Sequence, residues 1–359
     1  MKKILVVIIF ITLLCNTSYG QVGNEDEYSE VRALVIRAND PKEEKGEKIQ
    51  RVQLKILHGK YENKIVKVNH VIGEETTLIG KVKKGDRVIL SIDKRGKVVN
   101  TYISNYGRRE YVYYISAIFT FLLLIIGKKK GIKSAISLAL SIWAIFKVLL
   151  PAMLRGYNPI CITVIICSFI TIITMFMVGG MNYKSISAII GTIVGIIIGG
   201  VIAIIMGNKG HVTGMSSESA SMLMFIPQDV EFNFKYILFS GIIMGALGAI
   251  MDVGMSIASS IEEVYKANKE TSHGKLFLAG MNVGKDIMGT MSNTLILAYV
   301  GSNIPLLLLL MAHGNRIINI LDLELIVVEI IRALSGSIGL IMTIPITAFV
   351  ASFLICKEK

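Results

Sequence analysis

The sequence is short of nearly everything a stapled, metal-holding or soluble catalytic chain uses. Four cysteines and five histidines occur in 359 residues, and no cysteine falls between residues 21 and 109. That excludes a disulfide framework there and leaves no Cys/His zinc spacing anywhere. Neither a glycine-rich phosphate loop nor a Ser/His/Asp order is visible, which argues against a soluble-type enzyme. Charged residues make up only 18% of the chain against 53% hydrophobic ones, too few to cover a soluble domain of this length. The chain reads as a multi-span membrane protein. Its net charge of +12 then reports topology through the positive-inside bias and calls for no nucleic-acid partner.

The first twenty residues, MKKILVVIIFITLLCNTSYG, pair two lysines with an apolar run and end on Ser18 and Gly20 before Gln21. This is the pattern of a signal peptide. Cys15 raises a lipoprotein alternative, but Leu13 and Leu14 precede it where that processing needs small residues. An uncleaved first anchor is the other alternative. From Gln21 to Arg109 charges are dense and short β-prone runs alternate with turns: RVQLKILHG, YENKIVKVNHV, TTLIGKV, DRVILSID and VVNTYIS. These predict a small all-β domain of OB-like or SH3-like type outside the cytoplasm. His58 and His70 lie on separate runs with no third ligand suggested, and are expected at its surface.

From residue 110 to 359 the chain is a transmembrane helical domain. With about twenty apolar residues per crossing, seven spans are expected: Tyr111 to Gly127, Ile132 to Leu154, Ile160 to Gly180, Ser185 to Met206, Tyr236 to Ser260, Ile287 to Met311 and Ser335 to Cys356. The basic GKKKGIK loop after the first span belongs in the cytoplasm, with the β domain outside and the C-terminus inside. Signal peptide and loop agree on a multi-pass plasma-membrane protein. Residues 323 to 334, LELIVVEIIRAL, carry Glu324, Glu329 and Arg332 on an apolar run. They suit an interfacial amphipathic helix, or else the outer end of the last span.

One acid stands out. Asp252 lies in GALGAIMDVGMSIASSIEEV without a basic neighbour, about sixteen residues or roughly 24 Å into the fifth span. A carboxylate at such depth costs roughly 2.5–3.5 kcal/mol on lenient scales. Gly241, Gly245 and Gly248 precede it at helical spacing, a small-residue seam expected to turn Asp252 into the bundle. Glu262 and Glu263 follow at the cytoplasmic mouth. On the next span, Lys285 and Asp286 complete that entry, Thr290, Asn293 and Thr294 form a polar stripe, and Gly301 and Pro305 predict a broken helix.

The segments MDVGMSIASSIEE, GKDIMGTMSNTLILAY and GSNIPLL resemble the YibE/F-like family of bacterial membrane proteins over most of the chain. The resemblance implies a membrane location and no established activity. A fainter likeness is to the SecD/SecF and RND-type permease core, in which a membrane aspartate works with proton flow. It departs in having only RGYNP where those proteins carry a large outer domain. Together these point to a transporter-like integral protein in which Asp252 carries a proton or cation, partnered by Asn293, Thr290 and Thr294. Removal from water disfavours a charged carboxyl, as a carrier neutral for part of its cycle requires. The partners implied are the lipid bilayer, a small ion or unidentified solute, and a second copy or separate subunit. No cofactor or metal is expected. The rival reading is a scaffold or sensor whose outer β domain binds a ligand. An intramembrane aspartyl protease using Asp252 and Asp286 lacks its GxGD signature, since the sequence reads VGKD.

Overall fold

The computed structural model describes residues 28–44, 47–58, 61–72, 80–93, 101–225, 231–312 and 320–356. The expected signal peptide lies outside them. The chain divides into two compact units, one ending at Ile126 and the other running on from Gly127.

The first unit is an antiparallel sheet of β1 (Tyr28–Ala38), β2 (Lys42–Glu44), β3 (Glu47–Ile56), β4 (Ile65–Ile72), β5 (Arg87–Asp93) and β6 (Thr101–Tyr106). The order is β2-β3-β1-β5-β6, with β4 also on β3. Alternation puts Ala33 and Val35, Val52, Leu54 and Ile56, and Val88 and Leu90 on one buried face. Central β1 was not among the expected strands. Within TTLIGKV, conversely, residues 80–82 form no strand. Instead Gln50, fully buried, donates to Val82 O at 2.9 Å and accepts from Val82 N–H at 3.0 Å, so a side-chain amide does the work of a strand partner. His70 is also buried rather than at the surface, its Nε2 lying 3.2 Å from Gly80 O.

The helices are α1 (Arg109–Ala144), α2 (Leu150–Leu154), α3 (Pro159–Gly179), α4 (Tyr183–Lys209), α5 (Glu218–Leu223), α6 (Phe234–Ala267), α7 (His273–Ser302), α8 (Ile304–Ala312) and α9 (Glu324–Cys356). Between α1 and α2 the chain widens into a π turn, Ile145–Leu149. Pro151 follows it and has no N–H to give a preceding turn, and Leu150 N–H reaches back to Ile145 O.

By length and composition five runs among the described residues can cross a membrane, and the bent pair α7 and α8 makes a sixth. The difference from seven lies in Arg109–Leu154, which counts as one run of 46 residues. At 1.5 Å per residue that is about 69 Å, more than twice a hydrocarbon core of about 30 Å. Lys128 interrupts it with φ 47° and ψ −123°, between the two segments the sequence separates there. The amphipathic residues 324–334 do not form a helix of their own. They are the first turns of α9, continuous through Cys356.

In the second unit α9 packs on α4, α6 and α7, while α3 packs on α4 and α6. The closest approach is between α4 and α9. A Cβ on Gly191 would lie 1.8 Å from Thr347 Oγ1, and one on Gly195 would lie 1.8 Å from Thr343 Oγ1 and 2.8 Å from Gly339 O. Small residues four apart on both helices thus bring backbone against backbone. At one end of the bundle Glu324 of α9 accepts from Thr213 N–H at 2.8 Å and Gly214 N–H at 3.2 Å, just past the end of α4. At the other end Lys184 of α4 meets Glu262 of α6 at 2.6 Å, and His273 Nδ1 of α7 lies 2.8 Å from Ser352 O of α9.

Candidate functional site

Helix α6 has two small-residue faces: the one without Asp252 packs on α4 and α9, while the face of Asp252 is met by α7 at Gly245. Ala246, Ile250, Val253, Gly254 and Ile257 are buried, Gly254 close enough that a Cβ would sit 2.9 Å from Thr192 Oγ1 of α4. Gly241, Gly245, Gly248, Asp252 and Ser256 are exposed. The expectation that Asp252 points into the bundle is therefore corrected. Glycine at helical spacing marks where a backbone can be approached, but not which of two such faces is occupied. Asp252 has no hydrogen bond or ion pair among the described residues, and no charge lies between Lys235 and Glu262 on α6 except its own.

Two contacts fix the antiparallel register of α6 and α7. A Cβ on Gly245 would lie 2.6 Å from Tyr299 Oη, and one on Gly280 would lie 2.6 Å from Ile261 Cδ1. Interpolating between them sets Asp252 level with residues 289–292 of α7. Thr290 and Asn293 are thus at its depth, and Thr294 is about one turn away, all three exposed. No bond joins any of them to Asp252. The hydroxyls of Thr290 and Thr294 instead donate to their own helix, at Ile287 O and Thr290 O, the usual local option for threonine in a helix.

Lys285 and Asp286 are exposed on the same helix. They are not at its start: α7 begins at His273, about four turns before the expected Ile287. The register sets them beside Ser256, between Asp252 and the end of α6. There Glu262 is held between Lys184 and Lys266, at 2.6 and 3.3 Å, and Glu263 pairs with Lys266 at 3.2 Å. Glu262 is a fastening between α4 and α6, while Glu263 is the exposed acid of the pair.

The break lies between Gly301 and Pro305. α7 ends at Ser302, α8 begins at Ile304, and the two are bent by 60°. The carbonyl of Tyr299 accepts from Ser302 Oγ at 2.8 Å and from Asn303 Nδ2 at 2.9 Å. Pro305 sits in the first turn of α8, where no N–H is needed. Side chains thus satisfy the loosened backbone.

Sequence reasoning missed two buried groups on α7. Tyr299 Oη and Ser292 Oγ are buried without a hydrogen-bond partner among the described residues. They are seven residues apart, so they share the side of α7 that meets α6. Arg332 of α9 lies over the Tyr299 ring at 5.8 Å and pairs with Glu329 at 2.7 Å. A tyrosine two turns from a hydroxyl on an otherwise polar stripe was the available signal. No group of three or more metal-ligating side chains exists among the described residues.

An antiparallel β unit followed by long apolar helices, with an unpaired acid midway along one of them, defines an integral membrane protein. Residues 115–357 match the YibE/F-like protein family and residues 28–106 the YibE/F family N-terminal domain. The chain belongs to the YibE/F-like family. No curated protein and no solved structure matches it, and the likeness to the SecD/SecF core rests on the residue pattern alone.

Proposed function

We propose that the protein is a proton- or cation-coupled, transporter-like component of the plasma membrane, with Asp252 as the group that carries the ion. One observation supports this above the others: Asp252 stands in the middle of an apolar helix, exposed on its open face and unpaired among the described residues. A buried structural acid would have a partner, because an isolated carboxylate at bilayer depth is costly. Thr290 and Asn293 at the same level, and Ser256, Lys285, Asp286 and Glu263 toward the end of α6, line out a polar approach. Water, a second copy or a partner subunit would cover it in the membrane. In this reading the β domain faces outward and the basic segment Lys128–Lys130, at the interruption of α1, lies in the cytoplasm.

Proton flux in proteoliposomes tests it. Asp252→Asn keeps size and hydrogen bonding but cannot titrate, so it should insert and fold normally and lose flux by about a hundredfold, the scale of a lost proton-transfer group. A scaffold reading has its own support, since a Cβ on Gly241 or Gly248 would meet nothing within 4 Å, leaving room for another helix. Unchanged expression and unchanged cellular activity in Asp252→Asn would favour the scaffold.

A further inference from the structure

Away from the membrane aspartate, the first unit holds a small pocket whose chemistry is basic. Arg32, Leu57, His58, Arg87, Arg109 and Glu110 line it. Strands β1 and β5 pair Arg32 with Ile89 and Leu34 with Arg87. The two arginines are therefore diagonal neighbours on the face opposite buried Ala33 and Val35. Like charges so placed repel. Glu110, in the first turn of α1, pairs with Arg87. Gly107 lets the β6–α1 connection come close, with Gly107 N–H donating to Arg87 O at 2.7 Å. Arg32 and Arg109 have no side-chain hydrogen bond or ion pair among the described residues. Arg108, by contrast, is engaged, donating to Asn105 Oδ1 at 2.8 Å and lying over the Tyr106 ring. Three guanidiniums and one carboxylate leave two positive charges uncompensated around a concave surface.

The pocket's level in the membrane says what would fill it. Arg109 is the first residue of α1, and Tyr111, Tyr113 and Tyr114 follow it at 74%, 40% and 64% exposure. Exposed tyrosines at the head of an apolar helix settle at the headgroup layer. Arg109, two positions before Tyr111, stands where lipid phosphates are. We propose that Arg32 and Arg109, with Arg87 behind them, bind a phosphate group, that of an anionic phospholipid headgroup. Planar guanidinium forks match phosphate oxygens and hold them by charge-assisted bonds. The bound headgroup would fix the β unit at a set height above the first helix.

Native mass spectrometry of the delipidated full-length protein tests this with added phosphatidylglycerol, phosphatidylcholine or inorganic phosphate. Phosphatidylglycerol should be retained about tenfold over phosphatidylcholine. Arg32→Gln with Arg109→Gln should lower that retention at least about tenfold, the scale of lost charge-assisted bonds. Arg51→Gln, whose arginine already pairs with Glu44 at 2.9 Å, should leave it unchanged. If the double variant fails to fold, Arg109→Gln alone carries the test, because Arg109 is exposed and bonds nothing among the described residues. Inorganic phosphate that binds alone and displaces the lipid, in the same arginine-dependent way, would assign the site to free phosphate. Retention of phosphatidylglycerol that ignores both arginines, or that equals phosphatidylcholine, overturns the proposal.

Discussion

Replacing Gly195 by alanine adds one methyl group at the closest helix crossing in the bundle. That methyl would start 1.8 Å from Thr343 Oγ1 and 2.8 Å from Gly339 O, where ordinary contact begins near 3.4 Å. Thr343 has a partial escape, because its hydroxyl can rotate away. Doing so breaks its bond to Gly339 O at 2.9 Å, a loss of about 1 kcal/mol. The Gly339 carbonyl is backbone and has no such freedom, so α4 and α9 must separate along a contact that is close at Gly191 and Gly199 too. Overpacking of this kind costs about 1–3 kcal/mol. The sum, about 2–4 kcal/mol, corresponds to a fall in Tm on the order of 5–15 °C for a unit of this size. Thermal loss of the helical circular dichroism signal in detergent measures it, with Gly248→Ala as the control. A Cβ on Gly248 meets nothing within 4 Å, and alanine is the better helix former, so that variant should match or slightly exceed the wild type. Thr343→Ala in the Gly195→Ala background should recover part of the loss but not all, since the carbonyl clash persists. If Gly195→Ala melts within about 2 °C of Gly248→Ala, the α4–α9 crossing is not the tight contact described.

Glu262→Gln should lower stability by about 1–3 kcal/mol in the same assay, below the range for a fully buried pair because Lys184 and Glu262 keep 19% and 17% exposure. Glu263→Gln, at an acid 72% exposed, should change it by less than about 0.5 kcal/mol. Residues 21–109 expressed alone should give a folded, mainly β spectrum. In that domain the hydrogen bond from Lys81 at 2.6 Å, and then its charge, hold the Asp40 carboxyl below its ordinary 3.8. The folded state is favoured by this pair above pH 3.8 and loses that contribution as pH falls through the lower folded value. NMR titration should show Asp40 ionising below 3.8 and returning toward it in Lys81→Met. A helical or disordered spectrum refutes the domain, and an Asp40 titration indifferent to Lys81 refutes the pair.

The spans from Ile160 onward were legible because long apolar runs leave one structure to the backbone in lipid. The break after Gly301 was legible because proline and glycine four residues apart leave few alternatives. What failed did so where a residue's partner is remote. Strand β1 is hidden by Arg32, Arg37 and Glu30 on its outer side, and its inward residues, Ala33 and Val35, are small. TTLIGKV looks like a strand, but Val82 is held by an amide from β3. Glu324, Glu329 and Arg332 suggest an interfacial helix only until their partners are known. Glu324 is taken up by the backbone at Thr213 and Gly214, and the other two by each other, so α9 runs on through them. Asp252 was found from its rarity, but its direction depends on which glycine face another helix chose.

The bend after Ser302 divides one apolar run into two helices and leaves each with an end of its own. The end of α7 carries about half a negative charge from its last carbonyls, and the start of α8 about half a positive one. Arg332, over the ring of Tyr299 in the last turn of α7, brings a full positive charge to the negative end. Glu329 sits behind it as a counterweight. The bent helix pair is thereby poised electrically by a residue of α9. A straightened α7–α8 would cancel both half-charges and leave Arg332 to its ion pair with Glu329 alone.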